Sequence, residues 1–428
     1  MPGAGSINLQ AVLLLLASLL VPLAPAGLAL INTGLGRSRS AAHAMLASLG
    51  MMAAAALAYS VCGFAFQGFG ELPAHAVTIG GKTWNWLGGG KFFLRGMNWD
   101  DSMVMFAAWF GMLRASFAAV IPLGSSADRW KLTGSLVSAA IVGGITFPIF
   151  AHWSWAPGWL AQLGANYGLG NGFLDVGGAG AIQVVGGLTA LSVSWIVGPR
   201  HGKYATGGMS SAIPGHNVVQ VIFGALLALC GWLAVNVAGA ILFTGAGAER
   251  IPLIGINTLL SASAATLMAA AVTGTRFGKP DASLCANGWV GGLVASSAAC
   301  AFESPAAAVV TGLVAGALVP LGVEWFELRL RVDDPGGAIS VHCLSGLWGL
   351  LAAGIFSSRT GDAGQLMAQI VGIATLVGFV LPLTYFLHWV LNRFYPQRVA
   401  VEGEHQGMDL YELGAGAYPE FYINEEMR

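Results

Sequence analysis

Long apolar segments, separated by short polar ones, recur along the whole chain. A bilayer-spanning helix needs about 20 predominantly apolar residues, and a window of about 19 residues finds eleven such segments. They lie near residues 9–32, 41–69, 98–126, 132–151, 175–198, 216–243, 253–274, 283–301, 305–327, 337–357 and 366–392. The pattern predicts an all-α polytopic membrane protein with eleven transmembrane helices.

The basic residues between these segments predict how the chain crosses the membrane. Loops on the cytoplasmic side of a membrane are enriched in Lys and Arg. Five alternate loops carry two basic residues each, whereas the other five share five, three of them crowded into one long loop. Together with the odd number of spans, this predicts an outside N-terminus and a cytoplasmic tail over residues 393–428. Arg114 is the basic residue that falls inside a predicted span.

The composition excludes several classes of function. Apolar residues make up 56% of the 428 residues and charged residues only 9%, far from the quarter-charged composition of soluble domains. The net charge of −1 and the scattered Trp residues exclude a nucleic-acid-binding surface. The sequence has no P-loop nucleotide motif, no nucleophile–base pair within the spans and no metal-ligand spacing. It therefore predicts neither an enzyme nor a cofactor.

The chain repeats part of itself at an offset of 159 residues. The segment from Asp175 (DVGGAGAIQVVGGLTAL) matches the segment from Asp334 (DPGGAISVHCLSGLWGL) at seven positions. The first copy opens a span on the outside and the second opens one on the cytoplasmic side. Such inverted repeats build many transporters, with the pathway at the repeat interface. Gln183 and His342 each stand eight residues after their Asp, near two helical turns down, and we expect them to meet near the middle of the membrane.

The repeat divides the predicted transmembrane domain, residues 1–392. Repeat one covers about 9–198, repeat two about 216–357, and an extra helix about 366–392. An ionisable His at membrane depth costs several kcal/mol unless it has a partner or a use. His342 is therefore the first candidate for a residue that lines the pathway.

Several stretches have a recognisable sequence. They are PGLALINTGLGRSRS, ADRWKL, FPIFAHWSW, the Asp175 segment, GWLAVNVAG, LRVDDPGGAISVHCLSGLWGLLAAGIF and, in the tail, EGEHQGMDLYELGAGAY. Together they resemble the family of ammonium transporters, methylamine permeases and Rh proteins. Their order, spacing and topology agree with the family from the first span to the tail. The resemblance implies an eleven-helix protomer, a homotrimer with one narrow pathway per subunit, uptake of ammonium, and a cytoplasmic docking site for PII-type regulatory proteins.

Three positions match residues that have a role in the family. Trp155 falls on the vestibule tryptophan, whose ring attracts a desolvating ammonium ion by a cation–π interaction. Asp175 falls on the aspartate beneath the vestibule, which orders backbone carbonyls and lends negative potential. His342 falls on the second of two lumen histidines. An interfacial Trp and a helix-capping Asp are also ordinary structural features.

At four positions along the pathway, this chain has a different side chain from the one that is usual in the family. Gln183 stands where the first lumen histidine is usual, and it has no titratable group with which to pass a proton. Arg114 stands on an outer-gate phenylalanine, one turn from Phe110, which matches a conserved aromatic. Val235 replaces the other gate phenylalanine, and Gly239 replaces a vestibule serine that accepts a hydrogen bond from the ion.

Arg114 has the largest physical consequence of these departures. A guanidinium keeps its charge, and at mid-membrane it costs at least about 3 kcal/mol unless it is paired or hydrated. Four arrangements stay open. Asp100 or Asp101 neutralises it through water, the helix turns it to a subunit interface, it bonds backbone carbonyls between helices, or the substrate is not a simple cation.

The function that the sequence predicts is transport of ammonium, ammonia or a similarly small solute across the inner or plasma membrane. The predicted partners are this solute, membrane lipid, further copies of the chain and a PII-type protein. Two alternatives stay open: an ammonium sensor that signals through its tail, and a transporter of a different small solute.

Overall fold

The computed structural model describes residues 9–69, 75–155, 158–204, 210–357 and 363–418. Long helices, numbered α1 to α11 in chain order, make up most of this part of the chain. They are α1 (Leu9–Leu35), α2 (Ser38–Gln67), α3 (Ser102–Ser126), α4 (Leu132–Ser154), α5 (Ala179–Val197), α6 (Val218–Thr244), α7 (Ala248–Phe277), α8 (Ala282–Ser296), α9 (Pro305–Leu328), α10 (Ile339–Phe356) and α11 (Ala363–Phe394). The helix boundaries follow the apolar segments of the sequence closely.

The helix α8 differs from the prediction in length. Within the described residues, ten helices are long and apolar enough to cross a membrane, and α8 is not among them. It has 15 residues, or about 22 Å at a helical rise of about 1.5 Å per residue, less than the roughly 30 Å of a hydrocarbon core. The predicted segment 283–301 continues past Ser296 as turns instead of helix. The fold is thus a helical, multi-pass membrane protein with ten candidate spans.

A β-hairpin covers one end of the helix bundle, which we call the hairpin end. Strands β1 (His75–Ile79) and β2 (Lys82–Leu87) pair antiparallel, joined by Gly80 and Gly81 at φ of 59° and 75°. Two positive φ angles in a two-residue loop are typical of a type I′ turn, which favours glycine. The sequence analysis did not predict this hairpin, because a hydropathy window detects only long apolar segments.

The C-terminal tail docks against the opposite end of the bundle, the tail end. Its short helices span Val401–Gln406 and Asp409–Leu413. The Asp409 carboxylate accepts hydrogen bonds from the backbone N–H groups of Ala42 and His43 at 3.1 and 2.7 Å. Glu412 contacts the His43 ring at 2.9 Å and accepts the N–H of Leu132 at 2.8 Å. Burial alone would raise the pKa of Glu412, but these hydrogen bonds hold it below its ordinary value.

A buried ion-pair cluster at the tail end joins α5 to α10. Arg200 follows α5 and binds Asp333 in a bidentate pair, with both N···O distances at 2.9 Å. Arg129 donates to the Asp333 carbonyl at 2.8 Å. Burial would raise the pKa of Asp333, but Arg129 and Arg200 lower it to about 2. Because the end of α5 meets the start of α10 here, the two helices run in opposite directions.

Replacing Asp333 by Asn tests this cluster. Removing one partner of a buried ion pair leaves the other charge uncompensated, so we expect Asp333→Asn to lower the free energy of unfolding by about 3 kcal/mol. Glu324→Gln is the matched control, because Glu324 pairs with Arg276 on a partly exposed surface, where an ion pair contributes about 1 kcal/mol or less. Unfolding in detergent, followed by circular dichroism, measures both; equal losses would contradict the assignment.

The stabilisation by Asp333 depends on pH in a defined direction. Its pKa is about 2 in the folded protein and about 4 in an unfolded chain. The contribution is therefore fully present above the unfolded value and is lost as the pH falls from there towards the folded value. Asp333→Asn removes this part of the acid sensitivity, which acid titrations of the two proteins measure. An unchanged acid transition would show that another group controls it.

The helices α5 and α10 begin alike and cross at glycines. Each starts with a π-helical turn, Ala179–Val184 or Ile339–Leu344. A Cβ on Gly187 would lie 2.6 Å from the backbone N of Cys343, and a Cβ on Gly346 would lie 2.6 Å from the Val184 side chain. Gly187 and Gly346 occupy equivalent positions of the repeat, as do Val184 and Cys343. Contacts that map onto each other in this way are typical of a two-fold relation.

Gly187→Ala tests the close crossing. The added methyl group overlaps backbone, and overpacking of this kind costs about 1–3 kcal/mol, so we expect a lower melting temperature and less protein at the native elution volume. Gly255→Ala in α7 is the control, because nothing lies within 4 Å of a Cβ at that position. If Gly187→Ala matched the control, the helices would have room to separate.

Candidate functional site

Gln183 and His342 meet where α5 and α10 cross. The His342 Nδ1 and Gln183 Oε1 atoms are 2.7 Å apart, and Gln183 is 0% and His342 3% exposed. A carbonyl oxygen only accepts, so Nδ1 carries the proton and Nε2 carries the lone pair. The amide thus fixes the tautomer and the ring orientation of His342, but it offers no titratable group for a proton relay.

The carboxylates of the repeat hold the start of each of these helices. Asp175 Oδ2 accepts the N–H groups of Gly180 and Ala181 at 3.1 and 2.9 Å. Asp334 accepts those of Ala338 and Ile339 at 2.9 and 2.8 Å. A carboxylate at this end satisfies otherwise unpaired N–H groups and interacts favourably with the helix dipole. The capping role of Asp175 is therefore present alongside its negative potential.

Trp232 extends the site next to His342. Its ring lies nearly parallel to the imidazole, with centroids 6.4 Å apart and an interplanar angle of 18°, and its Nε1 donates to Ser297 Oγ at 3.0 Å. Phe117 of α3 packs edge-on against Trp232 at 4.8 Å. The sequence analysis did not single out Trp232. Trp232 could have been found from the sequence by its spacing of three residues from Val235, which places both on the same face of α6.

Val235 and Gly239 lie on that face of α6. Val235 is fully buried. A Cβ on Gly239 would lie 2.2 Å from the Val176 carbonyl oxygen, so this position packs against the backbone that follows Asp175 and has no room for a side chain. The structure thus gives Gly239 a packing contact instead of a serine-like hydrogen-bonding group.

Trp155 lies at the hairpin end, beside a cavity of about 200 Å³. Its Nε1 donates to the backbone carbonyl of Asp175 at 2.8 Å, which fixes the indole. Phe243 stacks on Trp155, with ring centroids 4.4 Å apart at 17°. The sequence analysis missed Phe243, although it stands one turn after Gly239 on α6. The cavity is lined by Ser154, Trp155, Ala161, Asn171, Phe173, Leu174, Asp175, Phe243 and Thr244.

Arg114 is enclosed by aromatic rings. Its guanidinium carbon lies 4.2 Å from the Trp155 ring centroid, 4.4 Å from those of Phe110 and Phe243, and 5.8 Å from that of Phe147. The residue is 1% exposed, and none of its three side-chain nitrogens has a hydrogen-bond partner among the described protein atoms. We call these four rings the aromatic cage.

The surroundings of Arg114 exclude two of the four arrangements that the sequence leaves open for its charge. Burial within a single chain excludes rotation to a subunit interface, and no hydrogen bond to a described backbone carbonyl is formed. Asp101 is exposed and caps α3 by accepting the N–H groups of Met103 and Val104. Asp100 is exposed as well. Asp175 is the carboxylate that attracts the guanidinium, without a direct ion pair.

A second, smaller cavity lies on the other side of the Gln183–His342 pair, towards the tail end. The lining residues are Leu28, Ile31, Asn32, Asn287, Val290, Gly336, Ala338, Val341 and His342. From the hairpin end to the tail end, the order is therefore cavity, aromatic cage, Trp232 with the Gln183–His342 pair, and second cavity. Among the described residues, no group of three His, Cys, Asp or Glu side chains could hold a metal ion.

Comparisons with known proteins show which family the chain belongs to. The family model described as Ammonium Transporter Family matches residues 12–418. Ammonium transporter Amt2 of Archaeoglobus fulgidus is 35% identical over 430 residues, which cover 96% of this chain and 88% of that protein. Ammonium transporter 1 member 1 of Solanum lycopersicum is 30% identical over 421 residues, covering 90% of this chain and 82% of that protein.

Solved structures share the fold. A protein described as a Sensor Amt Protein superposes with a TM-score of 0.85 at 27% identity, covering 95% of this chain and 98% of that one. Mep2 of Candida albicans superposes with a TM-score of 0.78 at 22% identity, covering 96% and 90%; at that identity the likeness shows the fold alone. The chain is therefore a member of the ammonium transporter family, whose members are transporters and channels and not enzymes.

Proposed function

We propose that ammonia or ammonium crosses the membrane in this chain through the line that joins the two cavities. The hydrogen bond of 2.7 Å between Gln183 and His342 carries the proposal. It holds two buried polar side chains between the cavities, where neither would be stable without a partner. The 35% identity to an ammonium transporter supports the choice of solute.

Each residue of the line has a proposed role. Trp155 and Asp175, which both line the hairpin-end cavity, gather the solute there. Phe110, one ring of the aromatic cage, narrows the passage there. His342 presents the lone pair on Nε2 to the passing solute, while Gln183 orients the ring. Val235, which replaces a larger group of the family, leaves room on α6, whereas Gly239 lets α6 pack against the backbone that follows Asp175.

The finer architecture is also part of the proposal. Eleven crossings, with α8 as a short one, place the N-terminus outside and residues 393–428 in the cytoplasm. Residues 9–198 and 216–357 form the inverted repeats and residues 366–392 the extra helix, within a domain of residues 1–392. The opposite directions of α5 and α10 and their matched glycine contacts support this arrangement.

The assembly and its partners follow from the family. We propose a homotrimer in the inner or plasma membrane, with one pathway in each subunit. The docked tail, held by Asp409 and Glu412 against α2, forms the surface that a PII-type protein would contact.

Uptake into proteoliposomes tests the proposed function. Ammonia that enters takes up a proton, so an internal pH dye reports its arrival. We expect faster alkalinisation than in empty vesicles, and we expect His342→Leu to return the rate to that of empty vesicles because the polar lining is lost. His388→Leu is the matched control, since His388 is a buried histidine of α11 bonded to Ser138 and to the Thr384 carbonyl. Equal rates for all samples would refute the proposal.

Gln183→His tests whether the amide limits proton transfer. A second imidazole beside His342 would supply the titratable group that Gln183 lacks, so we expect the variant to carry an ammonium-driven current on a supported membrane that the wild type lacks. The variant must elute as the wild type does. An unchanged current in a well-folded variant would show that the amide of Gln183 does not limit proton transfer.

Ammonium sensing without conduction is a second candidate function. The fully enclosed guanidinium of Arg114 favours it, because a charge fixed beside the vestibule obstructs cations. The likeness to a solved structure described as a Sensor Amt Protein is consistent with it. Saturable ammonium binding by the purified protein, with no uptake above that of empty vesicles, would select this function.

A further inference from the structure

We propose that Arg114 is a tethered cation that fills the protein's own aromatic cage, excludes ammonium from it, and restricts passage to neutral ammonia. This inference rests on the proposed function, because it concerns the species that the same pathway admits. It makes Arg114 the residue that determines specificity between the charged and the neutral form of the solute.

The cage has the geometry of a cation site. Cations are attracted to the faces of aromatic rings within about 6 Å of the centroid, most strongly to Trp. All four rings of the cage meet this distance, and the indole of Trp155 is the nearest, at 4.2 Å. Trp155 is also the ring that would attract ammonium most strongly if the guanidinium were absent. The guanidinium therefore occupies the place where a solute cation would be most stable.

The charge of Arg114 opposes a second cation. Its guanidinium does not lose its proton in proteins. Two unit charges about 6 Å apart at an effective dielectric constant of about 20 repel each other enough to lower occupancy roughly 100-fold. An ammonium ion beside Trp155 would experience this repulsion, whereas an ammonia molecule would not.

The only carboxylate that attracts Arg114 in the described structure is also the one that would attract the solute. Asp175 interacts electrostatically with the guanidinium, and its Oδ1 has no hydrogen-bond partner among the described residues. Its other oxygen caps α5. Arg114 therefore balances the negative potential that would otherwise draw a cation towards the narrow part of the pathway.

The cage also lies in line with the Gln183–His342 pair. Trp155 and Phe243 line the hairpin-end cavity and contact Arg114 through their ring faces. Arg114 and Phe117 lie on one face of α3, about 4.5 Å apart along the helix axis. Phe117 contacts Trp232, which lies over His342. A solute that leaves the cavity must pass the guanidinium before it reaches His342.

Each ammonia molecule that crosses leaves one proton on the entry side and takes up one proton on the exit side. Ammonium releases its proton to bulk water on the entry side, ammonia crosses, and it takes up a proton from bulk water on the exit side. Net charge does not cross the membrane. The wild-type protein should therefore alkalinise vesicles without an ammonium-evoked current.

Neutral replacements of Arg114 test this inference. Arg114→Met and Arg114→Gln remove the charge and keep an unbranched side chain, so either one suffices if the other does not fold. Arg276→Met is the matched control, because Arg276 lies on a partly exposed surface and pairs with Glu324. Each protein is checked by its elution volume and its melting temperature. Current is recorded on a supported membrane, alkalinisation in proteoliposomes, and binding with radiolabelled methylammonium in detergent.

We expect both Arg114 variants to bind methylammonium roughly 100-fold more tightly than the wild type and to carry an ammonium-evoked current that the wild type and Arg276→Met lack. A wild-type current equal to that of the variants would overturn the inference, as would folded variants with unchanged binding. If the variants bind methylammonium more tightly but no protein alkalinises vesicles, the proposed function fails with the restriction to ammonia, and only the exclusion of ammonium from the aromatic cage by Arg114 stands.

Discussion

The hydrogen bond between Gln183 and His342 is the contact around which the rest of the structure is arranged. A buried imidazole needs a partner in a medium that contains few, and the amide of an oppositely directed helix supplies it. Close approach of the two backbones at Gly187 and Gly346 brings the side chains within reach. The carboxylates of Asp175 and Asp334 hold the first turn of each helix, so the pair is fixed from both ends of the bundle.

Charge distinguishes the hairpin end of the proposed pathway from its centre. The centre is neutral, with a fixed imidazole tautomer and an amide. The hairpin end contains one fixed positive and one fixed negative group, Arg114 and Asp175, with aromatic rings between the guanidinium and the cavity. Such a pathway can attract a solute to its entrance and still reject its charged form. The ion-pair cluster around Asp333 lies at the tail end, where it joins helices and does not line the passage.

The sequence alone predicts the positions of the helices and the contact between Gln183 and His342. Hydropathy predicts nearly every helix end within a few residues, and the offset between the Asp segments pairs Gln183 with His342. It overestimated the length of α8, because an apolar stretch continues past Ser296 where the backbone turns. Phe243 and Trp232 were missed because their importance arises from rings that face each other across separate helices. The sequence predicts that the charge of Arg114 needs a partner. Only the packing of separate helices shows that four aromatic rings surround the guanidinium.

An experimental density map of the protein in lipid nanodiscs, at a resolution that shows ordered water, tests the central claim most directly. The account predicts solvent in both cavities, the Gln183 amide and the His342 ring in hydrogen-bond contact on a shared narrow conduit, and the Arg114 guanidinium among its rings. Side chains of Gln183 and His342 turned to lipid, or separated by more than a helix diameter of about 10 Å, would contradict it.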